Sequence, residues 1–354
     1  MAGTPSSQLP GFDGLRLIAA TAVLFSHAFL IAEGTEKHEP LTRLLGPGNI
    51  LGLYGVFTFF IISGFLLTRS LSLNPNPIQF SANRLLRIFP GFLFCIFTTT
   101  FLIGLVFAKK PVVTYLTDPQ AYYYVGNSLA CVCDWPDPPF SFSDLHTTIN
   151  GSLWSLSFEI LSYLFLIWMW ILLRRPLLVA LAFSFTALLT VFFPSAYAAI
   201  PGIAYTLPYF AGGVAMFVFV SRFGTRGWLA LTSLVILCVS AIVGMQHYAF
   251  SIFGAYLVVF LGTRYSPLSQ FAQRFGDWSY GLYLFGWPVE QVINQLSQPS
   301  SGVKLFVYSL PVTMGVAAIS WFAVEKPSLV LKKHLPLLAL VNPHTSGPLR
   351  GEIA

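Results

Sequence analysis

Long apolar runs separated by short polar segments dominate this chain. A helix needs roughly 20 apolar residues to cross a bilayer core. Ten runs approach or meet that length: Leu15–Ala32, Ile50–Ser70, Ile88–Ala108, Ser152–Leu173, Leu177–Phe193, Ile203–Val220, Trp228–Val243, Ala249–Gly262, Trp278–Leu296 and Val303–Val324. The fifth and eighth are short for a crossing. The pattern predicts an all-α, polytopic membrane protein of about ten transmembrane helices. Residues 1–330 are expected to form one transmembrane domain and 331–354 a short tail. The segment Met1–Pro10 is polar and has no basic n-region, so the first run is expected to be a retained span rather than a cleaved signal.

Composition agrees with this class. The chain is 55% hydrophobic and 9% charged, with mean hydropathy +0.72, whereas soluble domains carry about 25% charged residues. The basic residues are distributed unevenly. If the N-terminus is cytoplasmic, fourteen of the nineteen Lys and Arg fall on that side and five on the other. By the positive-inside rule both termini are expected in the cytoplasm, with the chain in the plasma membrane. The net charge of +6 is then a topology signal and not a nucleic-acid patch. Cys95 and Cys238 lie in apolar runs, where free thiols behave as small hydrophobes. Cys131 and Cys133 are too close in sequence for an unstrained disulfide, and no histidine beside them completes a metal site, so no metal is expected.

A few polar residues fall inside the runs, where ionisable groups are costly and mark function by default. Arg16 and His27 are eleven residues apart on the first run. That spacing returns them to one helix face, about 16 Å apart along the axis. His27 is read as the histidine well inside a span and Glu159 as the deep acid. Counted from the expected boundaries, each lies about 10 Å from the outer edge of the core. A carboxylate beside an imidazole fixes its tautomer and raises its basicity; equally, each residue fits a polar group joining helices. Arg16, Arg69, Arg84 and Arg87 cluster at cytoplasmic ends of the first three runs. They fit bidentate phosphate binding and also the positive-inside rule alone. The segment from Gly151 to Glu159 is rich in serine, which permits close helix approach or lines a polar cavity. The outward loop 109–151 mixes Asp118, Asp134, Asp137 and Asp144 with Tyr122, Tyr123, Tyr124, Trp135 and His146. That mixture suits sugar hydroxyls and ring faces, or simply a solvated loop with interfacial aromatics.

Four stretches, in order, resemble the acyltransferase-3 family of integral membrane O-acyltransferases. They are Leu9 to Arg16 followed by His27; Phe59 to Leu66 with Ser63-Gly64-Phe65; Asn83-Arg84-Leu-Leu-Arg87-Ile-Phe-Pro90; and Gly151 to Glu159 with Tyr163. The resemblance covers roughly residues 9–330. It implies about ten spans and transfer of an acyl group, commonly acetyl, from cytoplasmic acyl-CoA to a hydroxyl, usually of a cell-envelope or secreted carbohydrate. By the same resemblance, Arg16 and His27 take the family's essential pair, Arg84 and Arg87 the donor-binding positions, and Glu159 the carboxylate of the fourth span. Arg69 joins the expected donor site. Trp154, Ser155, Tyr163 and Tyr280 are the expected substrate-binding residues. Gly286 departs from the family, since many members carry histidine there. No hydrolase-like domain is seen after the last run, so a two-step relay would need a separate extracytoplasmic transferase as partner.

The expected mechanism seats CoA phosphates on the inner arginines and uses His27, oriented by Glu159, as general base. An acylated His27 intermediate stays open. Two rivals stand beside it: a glycan or lipid transporter or flippase, using the same buried charges, and an enzyme acylating a small cytoplasmic secondary metabolite.

Overall fold

The computed structural model describes residues 9, 11–108, 110–129, 148–193, 195, 201–264 and 267–331. Among them the chain is helical, with no strand. The helices are α1 (Gly11–Glu33), α2 (Pro40–Leu45), α3 (Leu51–Leu73), α4 (Pro77–Phe107), α5 (Val112–Leu116), α6 (Pro119–Leu129) and α7 (Trp154–Leu173). After them come α8 (Pro176–Phe192), α9 (Pro201–Phe223), α10 (Gly227–Ile242), α11 (Gln246–Gly262), α12 (Pro267–Phe275), α13 (Ser279–Ser297) and α14 (Gly302–Leu331). Each of the ten expected runs lies on a helix. Six of these helices, α1, α3, α4, α7, α9 and α14, are long and apolar enough to cross a membrane, and α8, α10 and α11 are apolar but shorter. In α13, Glu290, Gln291 and Asn294 dilute the apolar run. Cys131, Cys133, Asp134, Trp135, Asp137, Asp144, His146 and the tail beyond Leu331 lie outside the described residues.

Local signals set where the helices begin. Proline stands at the first helical position of α2, α4 and α8, where its missing N–H is no loss. Asn76 caps α4 by accepting from the N–H groups of Ile78 and Gln79, and Glu39 caps α2 through Leu41 and Thr42. Large apolar side chains such as Leu164, Trp168, Leu181, Phe185 and Leu231 remain exposed. In water such a surface would drive association; in a bilayer it is the lipid face.

Without a hydrophobic drive between helices in lipid, close backbone approach holds such bundles together. The crossing of α3 and α9 depends on it. A Cβ at Gly64 would stand 2.2 Å from the Phe210 carbonyl oxygen, and one at Gly213 would stand 2.1 Å from that of Ile61. Gly11 plays the same part where α1 begins, since a Cβ there would meet the Arg264 carbonyl oxygen at 2.3 Å.

One largely buried segment is not helical. Residues 148–153 run between α6 and α7 against the middle of α13. Irregular backbone at membrane depth is tolerated only where protein covers and satisfies it. Here Pro288 frees the carbonyl of Leu284 one turn earlier. That oxygen accepts from Asn150 Nδ2 at 3.0 Å and from Cys95 Sγ at 3.3 Å. Trp287 Nε1 donates to the Thr148 carbonyl at 2.9 Å, and the Tyr283 hydroxyl to that of Ser152 at 2.6 Å. The sequence Tyr283-Leu-Phe-Gly-Trp287-Pro288 thus holds the segment, and α7 starts deep in the bundle.

Gly64→Ala should push α3 and α9 apart. Overpacking of this kind costs about 1–3 kcal/mol, so thermal unfolding of the detergent-solubilised variant should begin well below wild type. Ala at Gly315, where a Cβ meets nothing within 4 Å, should leave the transition in place.

Candidate active site

A cavity of about 300 Å³ opens among α1, α3, α4, α7 and α13. Its polar wall consists of Arg16, Arg84 and Arg87, with Ser63, Ser155, Glu159 and the tyrosines 163, 280 and 283 facing them. Four of the expected substrate or catalytic residues, Ser155, Glu159, Tyr163 and Tyr280, therefore share one chamber with three of the four expected donor arginines. Trp154 and Arg69 do not line it. Trp154 packs on Phe158 instead, and Arg69 stands six residues beyond Ser63 on α3, about 9 Å along the axis.

The arginines differ in what holds them. Arg87 is fully engaged: one guanidinium nitrogen meets Asp277 at 2.5 Å and another meets Glu325 at 2.9 Å. The rings of Tyr280 and Trp321 flank it, each centroid 5.6 Å away. Glu325 reaches Arg87 from the end of a π-helical turn, Trp321–Glu325, in α14; such turns re-aim side chains and recur at functional sites. Arg16 lies 3.4 Å from Asp13 and 3.9 Å from Asp277. Burial alone would raise the Asp277 carboxyl; the guanidiniums of Arg87 and Arg16 and the Ser279 hydroxyl hold it below its ordinary range. Arg84 has no ion pair among the described residues, and its buried Nε has no hydrogen-bond partner. Of the three arginines that line the cavity, it is the one without a carboxylate at ion-pair distance among the described residues.

Glu159 does not meet His27. It accepts from Ser63 Oγ at 3.0 Å and from the Tyr163 hydroxyl. The antiparallel pairing of α1 with α3 fixes its level. Gly52 N–H donates to Ser26 Oγ at 2.7 Å, and the rings of Phe12 and Phe65 lie 5.4 Å apart. In that register Ser63 faces the Arg16 end of α1, about 18 Å from His27. The expected depth match fails because it counted α7 from the membrane edge, whereas residues 148–153 carry the chain inward before the helix starts.

His27 lies outside the cavity lining, farther along α1. Its ring meets that of Trp287 edge-on, with centroids 4.6 Å apart, and its Nδ1 is buried without a partner. The link between chamber and histidine is one face of α13. Tyr280, Tyr283 and Trp287 follow at helical spacing; the first two line the cavity and the third touches His27. Sequence reasoning missed this stripe, although its spacing was readable. It also missed Asp13, Asp277 and Glu325, which sit near span ends and carry no signal of their partners. Glu290 was overlooked as a deep acid: it lies inside the ninth expected run and is fully buried.

The two kinds of arginine separate by experiment. Arg87→Ala leaves Glu325 without a cation and Asp277 with only the longer contact to Arg16, a loss of about 3–5 kcal/mol for a broken buried pair, and should lower the unfolding temperature sharply. Arg84→Ala, which breaks no pair, should unfold near wild type.

Comparison with known proteins places these features in a family. The pattern of the acyltransferase-3 family, described as an acyltransferase domain, matches residues 9–325. A protein named O-acetyl transferase from Shigella phage Sf6 is 33% identical over 159 residues, 43% of this chain and 43% of its own. The aligned part thus spans less than half of that relative. Nodulation protein 10 of Rhizobium leguminosarum bv. viciae is 25% identical over 355 residues, covering 92% of this chain and 94% of its own. No solved structure matches. With nearly all of its transmembrane helices inside the matched region, the chain belongs to the acyltransferase-3 family of membrane acyltransferases.

Proposed function

We propose that this protein is a plasma-membrane O-acyltransferase that moves an acetyl group from cytoplasmic acetyl-CoA to a hydroxyl of a cell-surface or secreted carbohydrate. The observation that carries this reading is the chamber with an unpaired Arg84 at one end, joined to His27 by the aromatic face of α13. The name of the phage relative supports acetyl as the group. Ten crossings with both termini cytoplasmic remain the topology most consistent with the distribution of Lys and Arg. A separate extracytoplasmic protein is the proposed partner if the acetyl group is relayed in two steps.

In this reading Arg84, with Arg16, receives the donor phosphates. Arg87 holds the wall of the chamber, and Arg69 guides the donor from the cytoplasmic end of α3. Glu159, Tyr163 and Ser63 form a polar belt that the pantetheine arm crosses, with Ser155 and Tyr280 beside it. The arm extends along Tyr283 toward Trp287, and Trp154 flanks the path at the start of α7. At the far end His27 Nε2 takes the proton of the acceptor hydroxyl. The alkoxide oxygen attacks the thioester carbonyl, the C–S bond breaks, and the departing thiolate takes the proton back from the imidazolium. The sum is an ester and free CoA.

His27→Ala should cut turnover about 10²–10⁴-fold, the usual worth of a general base, with insertion unchanged and acetyl-CoA binding retained. Arg84→Ala should do the reverse, weakening acetyl-CoA binding by tenfold or more. Near-normal transfer in His27→Ala removes this mechanism. Mass spectrometry of surface glycans from cells with and without the protein identifies the acceptor, and unchanged acetylation of every glycan contradicts the carbohydrate assignment.

A further inference from the structure

Among the described buried polar atoms without partners, two belong to ionisable side chains on neighbouring helices, α1 and α13. One is His27 Nδ1 on α1; the other is Glu290 Oε2 on α13. A buried polar atom without a partner carries the full cost of desolvation, so two at one level call for a common explanation. The register between the helices supplies the level. A Cβ on Gly286 would lie 3.0 Å from Leu24 Cδ1, and Asn294 Nδ2 donates to the Ile31 carbonyl at 3.3 Å. Glu290 is midway between these contacts, so it stands level with residues 27 and 28 of α1. It also continues the face that carries Tyr283 and Trp287, and Trp287 already touches His27.

The rest of Glu290's surroundings explains only one of its oxygens. Ser309 Oγ on α14 reaches Oε1 at 3.3 Å, and the residue is fully buried with no cation paired to it among the described residues. The other titratable groups presented here are already engaged. Glu33 accepts from Gly302 N–H and meets His38, while the Tyr283 hydroxyl bonds Ser152 and Ser155.

Resting on the role of His27 proposed above, we infer that Glu290, and not Glu159, is the carboxylate that positions and charges His27, through one bridging water between His27 Nδ1 and Glu290 Oε2. Water fills this role where polar atoms are otherwise orphaned. The consequence is a defined tautomer. Nδ1 carries the proton toward Glu290, leaving the Nε2 lone pair for the acceptor hydroxyl. When Nε2 takes that proton, the carboxylate stabilises the imidazolium until the CoA thiolate reclaims it. Glu290 touches no reacting atom and is a positioning residue.

The test is nitrogen-15 NMR of histidine-labelled full-length protein in lipid, with His27→Ala used to assign the His27 signals. In wild type, Nδ1 should carry a hydrogen-bonded proton and Nε2 should be bare. In Glu290→Gln the titration midpoint of His27 should fall by about one unit or more. Release of thiol from acetyl-CoA, in the presence of native envelope extract, should fall at least about tenfold with KM for acetyl-CoA unchanged. Ser309→Ala, which removes a donor to Glu290 without touching α1, should move the same resonance and covers the case in which Glu290→Gln does not insert. An identical His27 titration in wild type and Glu290→Gln, or in wild type and Ser309→Ala if only that variant inserts, overturns the assignment. If His27→Ala keeps full transfer while the NMR pairing holds, the pairing is real and the proposed chemistry is what fails.

Discussion

Charge placed among membrane helices must be paired or it costs several kcal/mol per ion, and the Arg16 end of this bundle is organised around that requirement. Arg87 is the centre. Its two carboxylate partners come from the turn before α13 and from α14, and its own helix is α4. Asp277 also faces Arg16 of α1. One guanidinium therefore ties together helices that are far apart in sequence. It also decides the chemistry of the chamber beside it. Because Arg87 is held by two close carboxylates, Arg84 and the more loosely paired Arg16 are the guanidiniums nearest to a ligand in the proposed donor site.

The same constraint explains the irregular backbone at the other end of the chamber. Residues 149–153 lie in the interior, where Pro288 opens an acceptor at Leu284 and Asn150 fills it. This docking sets where α7 begins and so where Glu159 ends up. Helix α13 is then the spine of the site: its polar residues leave it too hydrophilic to read as a simple lipid-facing helix, and one face meets the chamber, the buried segment and His27 in turn.

Much of this was legible in the sequence. Apolar run length gave the helical class and every long helix, since in lipid the backbone must satisfy itself within helices. Arg16 and Glu159 stood out because ionisable groups within long apolar runs are rare, Arg84 because arginines cluster at the ends of the first three runs, and Tyr163 through the family resemblance. What was not legible depends on pairing between distant segments. Nothing local to Asp277 or Glu325 announces Arg87 as partner. The depth of Glu159 was misjudged because residue counting assumes that a helix starts at the membrane edge, and a docked coil breaks that assumption. Glu290 escaped notice because it stands beside Gln291 and Asn294, where an acid contrasts less with its neighbours than on a purely apolar run.

In the proposed mechanism the donor lies along one path, phosphates at Arg84 and thioester at His27, with the α13 face between them. The most direct measurement is a cryo-EM structure of the protein in lipid nanodiscs with a non-hydrolysable acetyl-CoA analogue. A phosphate should lie against the Arg84 guanidinium, the pantetheine arm should pass Tyr283, and the acetyl carbonyl should sit beside His27 Nε2. A bound analogue whose acetyl group ends at Glu159, or whose phosphates sit away from Arg84, would contradict it.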